Sequence, residues 1–130
     1  EIYVVLLNSV LMKTVKAAIV GSRSFNDYEK MYSFIQQIRK EKELFIYEVI
    51  SGGAEGADKL AERYATECKK SLKVFKPNWK NGLGAGIARN VEIIKACDVC
   101  FAFWDGSSAG TKSDIELCKK QGKPCYICRF

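Results

Sequence analysis

Apolar residues along the chain follow two alternating patterns. Short continuous runs, Ala17–Val20, Leu44–Ile50, Leu72–Phe75, Val99–Trp104 and Pro124–Cys128, read as strands buried on both faces. Between them the apolar positions take helical spacing. Met31, Phe34, Ile35 and Ile38 form one stripe, Ala57, Leu60, Ala61, Tyr64, Ala65 and Cys68 a second, and Ile87, Val91 and Ile94 a shorter third. Strict β/α alternation at these lengths predicts a parallel sheet with right-handed crossovers and helices on both faces. The expected fold is α/β, a three-layer Rossmann-like sandwich with a five-stranded parallel sheet in the order 3-2-1-4-5.

Four strand-to-helix connections repeat one grammar, an apolar run, a turn of small residues, then a helix. The strongest is Val49 to Ala65, in which Ser51, Gly52, Gly53, Ala54 and Gly56 precede an amphipathic helix beginning near Asp58. Glycines without a Cβ let successive amide N–H groups point into one concavity, and the positive end of the following helix adds about half a unit charge there. The first connection carries Gly21, Ser22 and Arg23, with Asp27 at an N-cap position. The third, Asn81 to Ile94, is a glycine-rich entry into a helix bearing Arg89 and Asn90. The last runs through Trp104, Asp105, Gly106 and Ser107 to a helix starting near Gly110 or Thr111. In an open parallel sheet all such turns fall at the carboxyl ends of the strands, where ligands bind.

With 130 residues and 48% hydrophobic content, the chain suffices for one domain that buries roughly two-thirds of its unfolded surface. The opening EIYVVLLNSVL has the apolarity of a signal-peptide core but lacks a basic start, and cleavage before Gly21 would damage the first strand. Met12 followed by Lys13, Thr14 and Val15 reads as an alternative start. Residues 1–12 are therefore expected to be a leader or an extra edge segment, and 13–130 the single domain. No apolar run approaches the ~20 residues of a membrane span.

The net charge of +6 suits an anionic ligand. Most of it is placed at helix ends and polar faces, as with Lys40, Lys42, Lys69, Lys70, Lys119 and Lys120, where basic groups face the negative dipole end and solvent. Arg23, Arg89 and Lys112 stand in the turns themselves. No helix-turn-helix and no platform of interleaved aromatic and basic residues is legible, so nucleic acid is not the expected partner.

Six cysteines include Cys97-x-x-Cys100 and Cys125-x-x-Cys128. Residues i and i+3 of a strand point to opposite faces and cannot jointly hold a metal, so the expectation is buried reduced thiols, no metal and a cytoplasmic location. The chain has no histidine, which excludes Ser-His-Asp and Cys-His catalysis and leaves a carboxylate, Lys, Tyr or water as base. Asp27, Glu55, Asp58, Asp105, Asp114 and Glu116 lie near the turns, with N-capping or turn formation as an equal account of Asp27, Asp58 and Asp105.

GSRSF, SGGAEGADKLAERYA, the Ala88-Arg89-Asn90 triplet and FWDGSSAGT together resemble the SLOG superfamily, and within it the YspA-like branch of small bacterial and phage proteins. The resemblance covers roughly Val15 to Ile127. It implies kinship with the Lonely Guy phosphoribohydrolases, which cleave the N-glycosidic bond of nucleoside monophosphates, with the DNA-processing Smf proteins, and with sensor domains for nucleotide-derived signals. Lonely Guy enzymes carry PGGxGTxxE after the fourth strand and an Arg-Lys pair on an earlier helix. Here Gly110 and Thr111 match and Asp114 stands at the glutamate position, while Ser107-Ser108 replace the double glycine. Arg89 matches the arginine, and Asn90 replaces the lysine.

A carboxylate shorter by one C–C bond misplaces the charge by ~1 Å, enough to cost on the order of 100-fold in rate while affecting binding less. The resemblance therefore implies first a module that binds a nucleotide or an ADP-ribose-like molecule without a cofactor. Gly52, Gly53, Ala54, Gly110 and Thr111 would hold phosphate, with Arg23 and Arg89 as forked donors, and Trp104 would either cover a base or pack under its loop. An N-glycosidase with Asp114 or Glu116 assisting and Arg89 steadying phosphate comes second, and a DNA-associated role third. Relatives that pair subunits imply a homodimer or higher homo-oligomer.

Overall fold

The computed structural model describes residues 3–7, 10–82 and 84–130; Glu1, Ile2, Asn8 and Ser9 of the apolar leader and Leu83 of the glycine-rich entry lie outside them. The elements run β1 (Tyr3–Leu7), β2 (Val10–Gly21), α1 (Tyr28–Lys42), β3 (Leu44–Ser51), α2 (Ala57–Glu67), β4 (Ser71–Val74), a 3₁₀ turn (Trp79–Asn81), α3 (Ala85–Ala96), β5 (Val99–Trp104), α4 (Ala109–Gln121) and β6 (Cys125–Arg129). The sheet order is β4-β3-β2-β5-β6, all parallel. This is the expected 3-2-1-4-5 Rossmann-like order.

The first core strand is longer than its four-residue apolar run implies. Backbone pairing extends β2 back to Val10, where β1 runs antiparallel to it from Tyr3 opposite Thr14 to Leu7 opposite Val10. Because β3 pairs with residues 13–18 of β2 and β5 with 17–21, β1 and β5 share the same edge of β2 in succession.

Alternation along the strands divides the core into two layers. Val15, Ala17 and Ile19 of β2 and Val99, Phe101 and Phe103 of β5 pack against Met31 and Ile35 of α1 and Ala61 and Tyr64 of α2. Ala18, Val20, Cys100 and Ala102 face the other way, onto Ile93 and Ile94 of α3 and Cys118 of α4. Ile46 and Val49 are three apart in β3 yet share the first layer. A register shift makes this workable, since Val15 pairs with Ile46 and Lys16 with Glu48, leaving Tyr47 as the extra residue of a bulge. Cys125 and Cys128 fall in opposite layers, as their spacing requires.

Two of the helical stripes bury as their spacing predicts, but the third does not. Ile87 is exposed, and α3 buries Ala85, Ile93 and Ile94 instead. Two residues beyond Ala85, Ile87 is turned about 200° around the helix, away from the sheet. Asp27 caps α1 by accepting a hydrogen bond from the Lys30 amide at 3.0 Å. No helix among the described residues is long and apolar enough to cross a membrane.

Candidate functional site

Parallel strands deliver all four strand-to-helix connections to one edge, where they enclose a cleft of about 420 Å³. Its walls are Gly21–Ser24 after β2, Ala54 and Asp58 at the start of α2, Arg89, Asn90 and Ile93 of α3, and Ser108, Gly110, Thr111 and Asp114 at the start of α4. The volume is within the range of small-molecule sites.

Close backbone approach builds the first wall. Gly56, at φ +77°, lies against the Arg23 backbone where any side chain would clash, and the Ala57 amide donates to the Ser22 carbonyl at 3.3 Å. Gly21 is equally confined, between the Phe103 carbonyl and the Ala57 methyl. The first two turns are thus fused. Ser22 is buried and its hydroxyl lies 2.8 Å from that of Ser108, joining the first connection to the last.

The glycine turn after β3 spends part of its donor set internally. The Ala54 amide donates to the Asp58 carboxylate at 3.1 Å, and the Gly53 amide, at a residue with φ +73°, reaches the Ser51 hydroxyl at 3.4 Å. The Ser51 hydroxyl in turn donates to the Asp58 carbonyl at 3.2 Å. Asp58 therefore sits where the turn alone would be expected to hold an anion. A Cβ on Gly52 would come 2.7 Å from Arg89 Nη1 and 2.8 Å from Asp58 Oδ2, so glycine is what lets these two groups meet over the turn.

Arg89 donates from Nη1 to the Gly52 carbonyl at 2.6 Å and from Nε to Asn90 Oδ1 at 2.8 Å. Asn90 thus orients the arginine. The Nη2 group makes no hydrogen bond among the described residues.

The start of α4 supplies an open helix terminus. Ser108 is the N-cap, but its hydroxyl is committed to Ser22 and to Asp105 Oδ2 at 2.8 Å and does not cap the helix. Nothing lies within 4 Å of the position a Gly110 side chain would take, so this first turn is clear above the cleft. First-turn amides and the helix dipole make such a terminus an anion site.

Asp105 has a different task. Its Oδ1 accepts from the Ser107 and Ser108 amides at 2.9 and 2.7 Å, and these bonds hold its pKa down to about 2. It shapes the loop, together with Gly106 at φ +89°. Trp104 is also outside the cleft. Its indole N–H donates to the Ser108 carbonyl at 3.1 Å, and Arg129 stacks 5.1 Å from its ring, which selects packing beneath the loop over covering a base. Glu116 is a further correction, since it is exposed and two residues past Asp114 it points away from the cleft.

Asp58 and Asp114 are the electrostatic centre. Both are buried, at 8% and 6% exposure, in a cleft whose cationic lining among the described residues is Arg23 and Arg89. Burial raises Asp58 to about 6 against the opposing pull of the Ala54 amide and Arg89. Burial and then the charge of Asp58 raise Asp114 further, to about 8. Asp114 Oδ1 is buried with no hydrogen-bond partner among the described residues. The signal for Asp58 lay in its position after the glycine turn; the bond between Ser108 and Ser22 had none, because the two are more than eighty residues apart.

A second concavity of about 430 Å³ opens on the other side of Arg89. Arg23, Lys76 and Arg89 line it together with the exposed Trp79. Sequence reading finds no platform of aromatic and basic residues, because these four lie up to sixty-six residues apart; the fold places them around one concavity.

The layered fold, with a cleft at the carboxyl edge of its sheet, is a small Rossmann-like α/β architecture. The chain belongs to the YspA, cpYpsA-related SLOG family, whose model matches residues 15–82. It is 30% identical over 116 residues to the Gene 61 protein of Mycobacterium phage D29, across 84% of this chain and 92% of that protein. DNA processing protein A from Helicobacter pylori, a protein whose single-stranded DNA binding mode has been described structurally, shares the fold at TM-score 0.63 and 23% identity. That match covers 87% of this chain but 64% of the neighbour, so the chain spans less than two-thirds of it.

Proposed function

We propose that the protein binds a nucleotide-derived small molecule in the cleft at the carboxyl edge of the sheet. The ligand phosphate sits on the N-terminus of α4 between Gly110 and Thr111, with Arg89 and Arg23 as cationic donors. Asp58 and Asp114 receive the sugar hydroxyls. The observation carrying this reading is Asp114, a buried carboxyl that lines the cleft with Asp58 and whose Oδ1 has no hydrogen-bond partner among the described residues. Such an atom costs about 1–3 kcal/mol until a donor reaches it, and a ribose hydroxyl is a donor of the right size. Calorimetric titration with nucleoside mono- and diphosphates and ADP-ribose tests this. Saturable binding that Asp114→Ala abolishes is expected, and indifference of the folded protein to the whole panel would overturn it.

The same carboxyl pair supports turnover as a finer alternative. A carboxyl protonated near neutrality beside an ionised one is the arrangement that N-glycosidic cleavage uses. Incubation with nucleoside monophosphates and chromatography for free base decides this, and absence of base at high protein concentration removes the hydrolase reading.

Nucleic acid is a second reading, favoured by the concavity where Trp79 stands among Arg23, Lys76 and Arg89. Stacking on an aromatic ring between cations is how single strands are held without sequence preference. Oligonucleotide binding that weakens steeply as salt rises supports this role, and binding indifferent to salt excludes it.

A further inference from the structure

Outside the cleft, three thiols converge under α4. Cys100 of β5 and Cys125 of β6 are register partners on adjacent parallel strands, and Cys118 of α4 descends onto them from the layer above. Their sulfur atoms all lie within 4.8 Å of one another. Cys100 and Cys118 are fully buried, whereas Cys125 is half-buried.

We infer that Cys100, Cys118 and Cys125 form a three-coordinate site for a soft monovalent cation of the copper(I) class. Three sulfurs sharing one metal at ~2.3 Å in a plane stand ~4.0 Å apart, less than ~1 Å closer than the 4.8 Å within which these three already lie. Thiolate ligands select copper(I), zinc or iron–sulfur clusters. Zinc takes four ligands in structural sites and iron–sulfur clusters four cysteines, while the group among the described residues has three members. On binding, three S–H bonds break, three protons leave to solvent and three copper–sulfur bonds form, with no change in oxidation state.

Neighbouring groups suit that chemistry. Lys123 is held beside the cluster by donating to the Cys97 carbonyl at 2.6 Å, and its charge opposes the excess negative charge of a trithiolate centre. Neither Cys-x-x-Cys pair acts as a unit here. One member of each joins a helical cysteine.

The test is anaerobic titration of the reduced full chain with copper(I) in competition with a chromogenic copper(I) chelator, with X-ray absorption on the loaded protein. One equivalent retained against the chelator, in a shell of three sulfurs, is expected. Cys125→Ser should weaken retention by at least about 100-fold, the upper end of what losing an outer-shell partner costs. Cys68→Ser, on the other side of the sheet, should leave it unchanged. Complete transfer of copper to the chelator, or a two-sulfur shell in the wild-type protein, overturns the inference. So does retention that is unaltered in Cys125→Ser. The wild-type spectrum decides the matter even if both Cys125→Ser and a second variant, Cys118→Ala, fail to fold by circular dichroism.

Discussion

Arg89 on α3 holds the carbonyl of Gly52 at 2.6 Å, and this one bond ties the third strand-to-helix connection to the second. The guanidinium is therefore both a wall of the cleft and a brace for the turn beneath it. Arg89→Ala should weaken an anionic ligand by about 1.5–3 kcal/mol, the loss of a charge-assisted hydrogen bond. Arg89→Lys should not restore it, because a point charge lacks the fork that reaches Gly52, Asn90 and a ligand together. Calorimetry with the tightest ligand of the nucleotide panel checks both. Unchanged affinity in folded Arg89→Ala removes this residue from the site.

Asp114 makes stability depend on pH. Its proton is bound more tightly in the fold, at about 8, than at the ordinary value of 3.8. The folded state thus carries the extra proton between those limits, and stability falls as pH rises through that window. Asp114→Asn, which cannot ionise, should match the wild-type melting temperature near pH 4 and exceed it near pH 8. Parallel melting curves across the range would contradict the assignment.

Gly110, in the first turn of α4, and Gly56, just before α2, answer differently to substitution. Gly110 has open space in the first turn of α4, so Gly110→Ala should stabilise the helix by roughly 0.5–1 kcal/mol while weakening the ligand through intrusion on its phosphate. Gly56→Ala places a side chain on the Arg23 backbone at a positive φ and should destabilise. Thermal melts with and without ligand separate the two effects.

Trp79 reports on the second concavity. If a single strand lies there, its emission should be quenched by an oligonucleotide, and Trp79→Ala should cost about 1–3 kcal/mol of oligonucleotide binding. A mononucleotide seated only in the main cleft should bind this variant as it does the wild type. Equal loss of both ligands would show that the two concavities form one site.

Asp105 saturates its carboxyl with loop donors, and Asp105→Ala should loosen the start of α4. Faster amide exchange at Ser107 and Ser108 is the expected sign. The effect should appear in wild-type protein only at strongly acidic pH, because the depressed pKa keeps this carboxylate ionised down to about 2.

Much of the architecture was legible in the chain. Period-two and period-3.6 patterns report which face of an element is buried, and their alternation sets strand order through handedness and short connections. Gly21, Ser22, Arg23, Ala54, Asp58, Arg89 and Asp114 were legible for the same reason, since residues beginning helices after parallel strands must reach one edge. The pattern misjudged Ile87, whose spacing fitted a stripe that α3 turns outward, and it could not separate Glu116 from Asp114 in role. Trp104 had two readings, and the choice fell to its bond with the Ser108 carbonyl.

What the amino-acid order settled alone was therefore periodic: layers, connections and the edge where the strand-to-helix turns meet. Tertiary structure decided which donors stayed free. Asp58 takes the Ala54 amide, Arg89 is drawn onto Gly52, and Ser22 meets Ser108 across more than eighty residues of chain. The convergence of Cys100, Cys118 and Cys125 is of the same kind. Local spacing encodes the direction of a side chain from its own backbone, whereas partnership depends on where another segment arrives, and strand register and helix docking set that only after the whole core is packed.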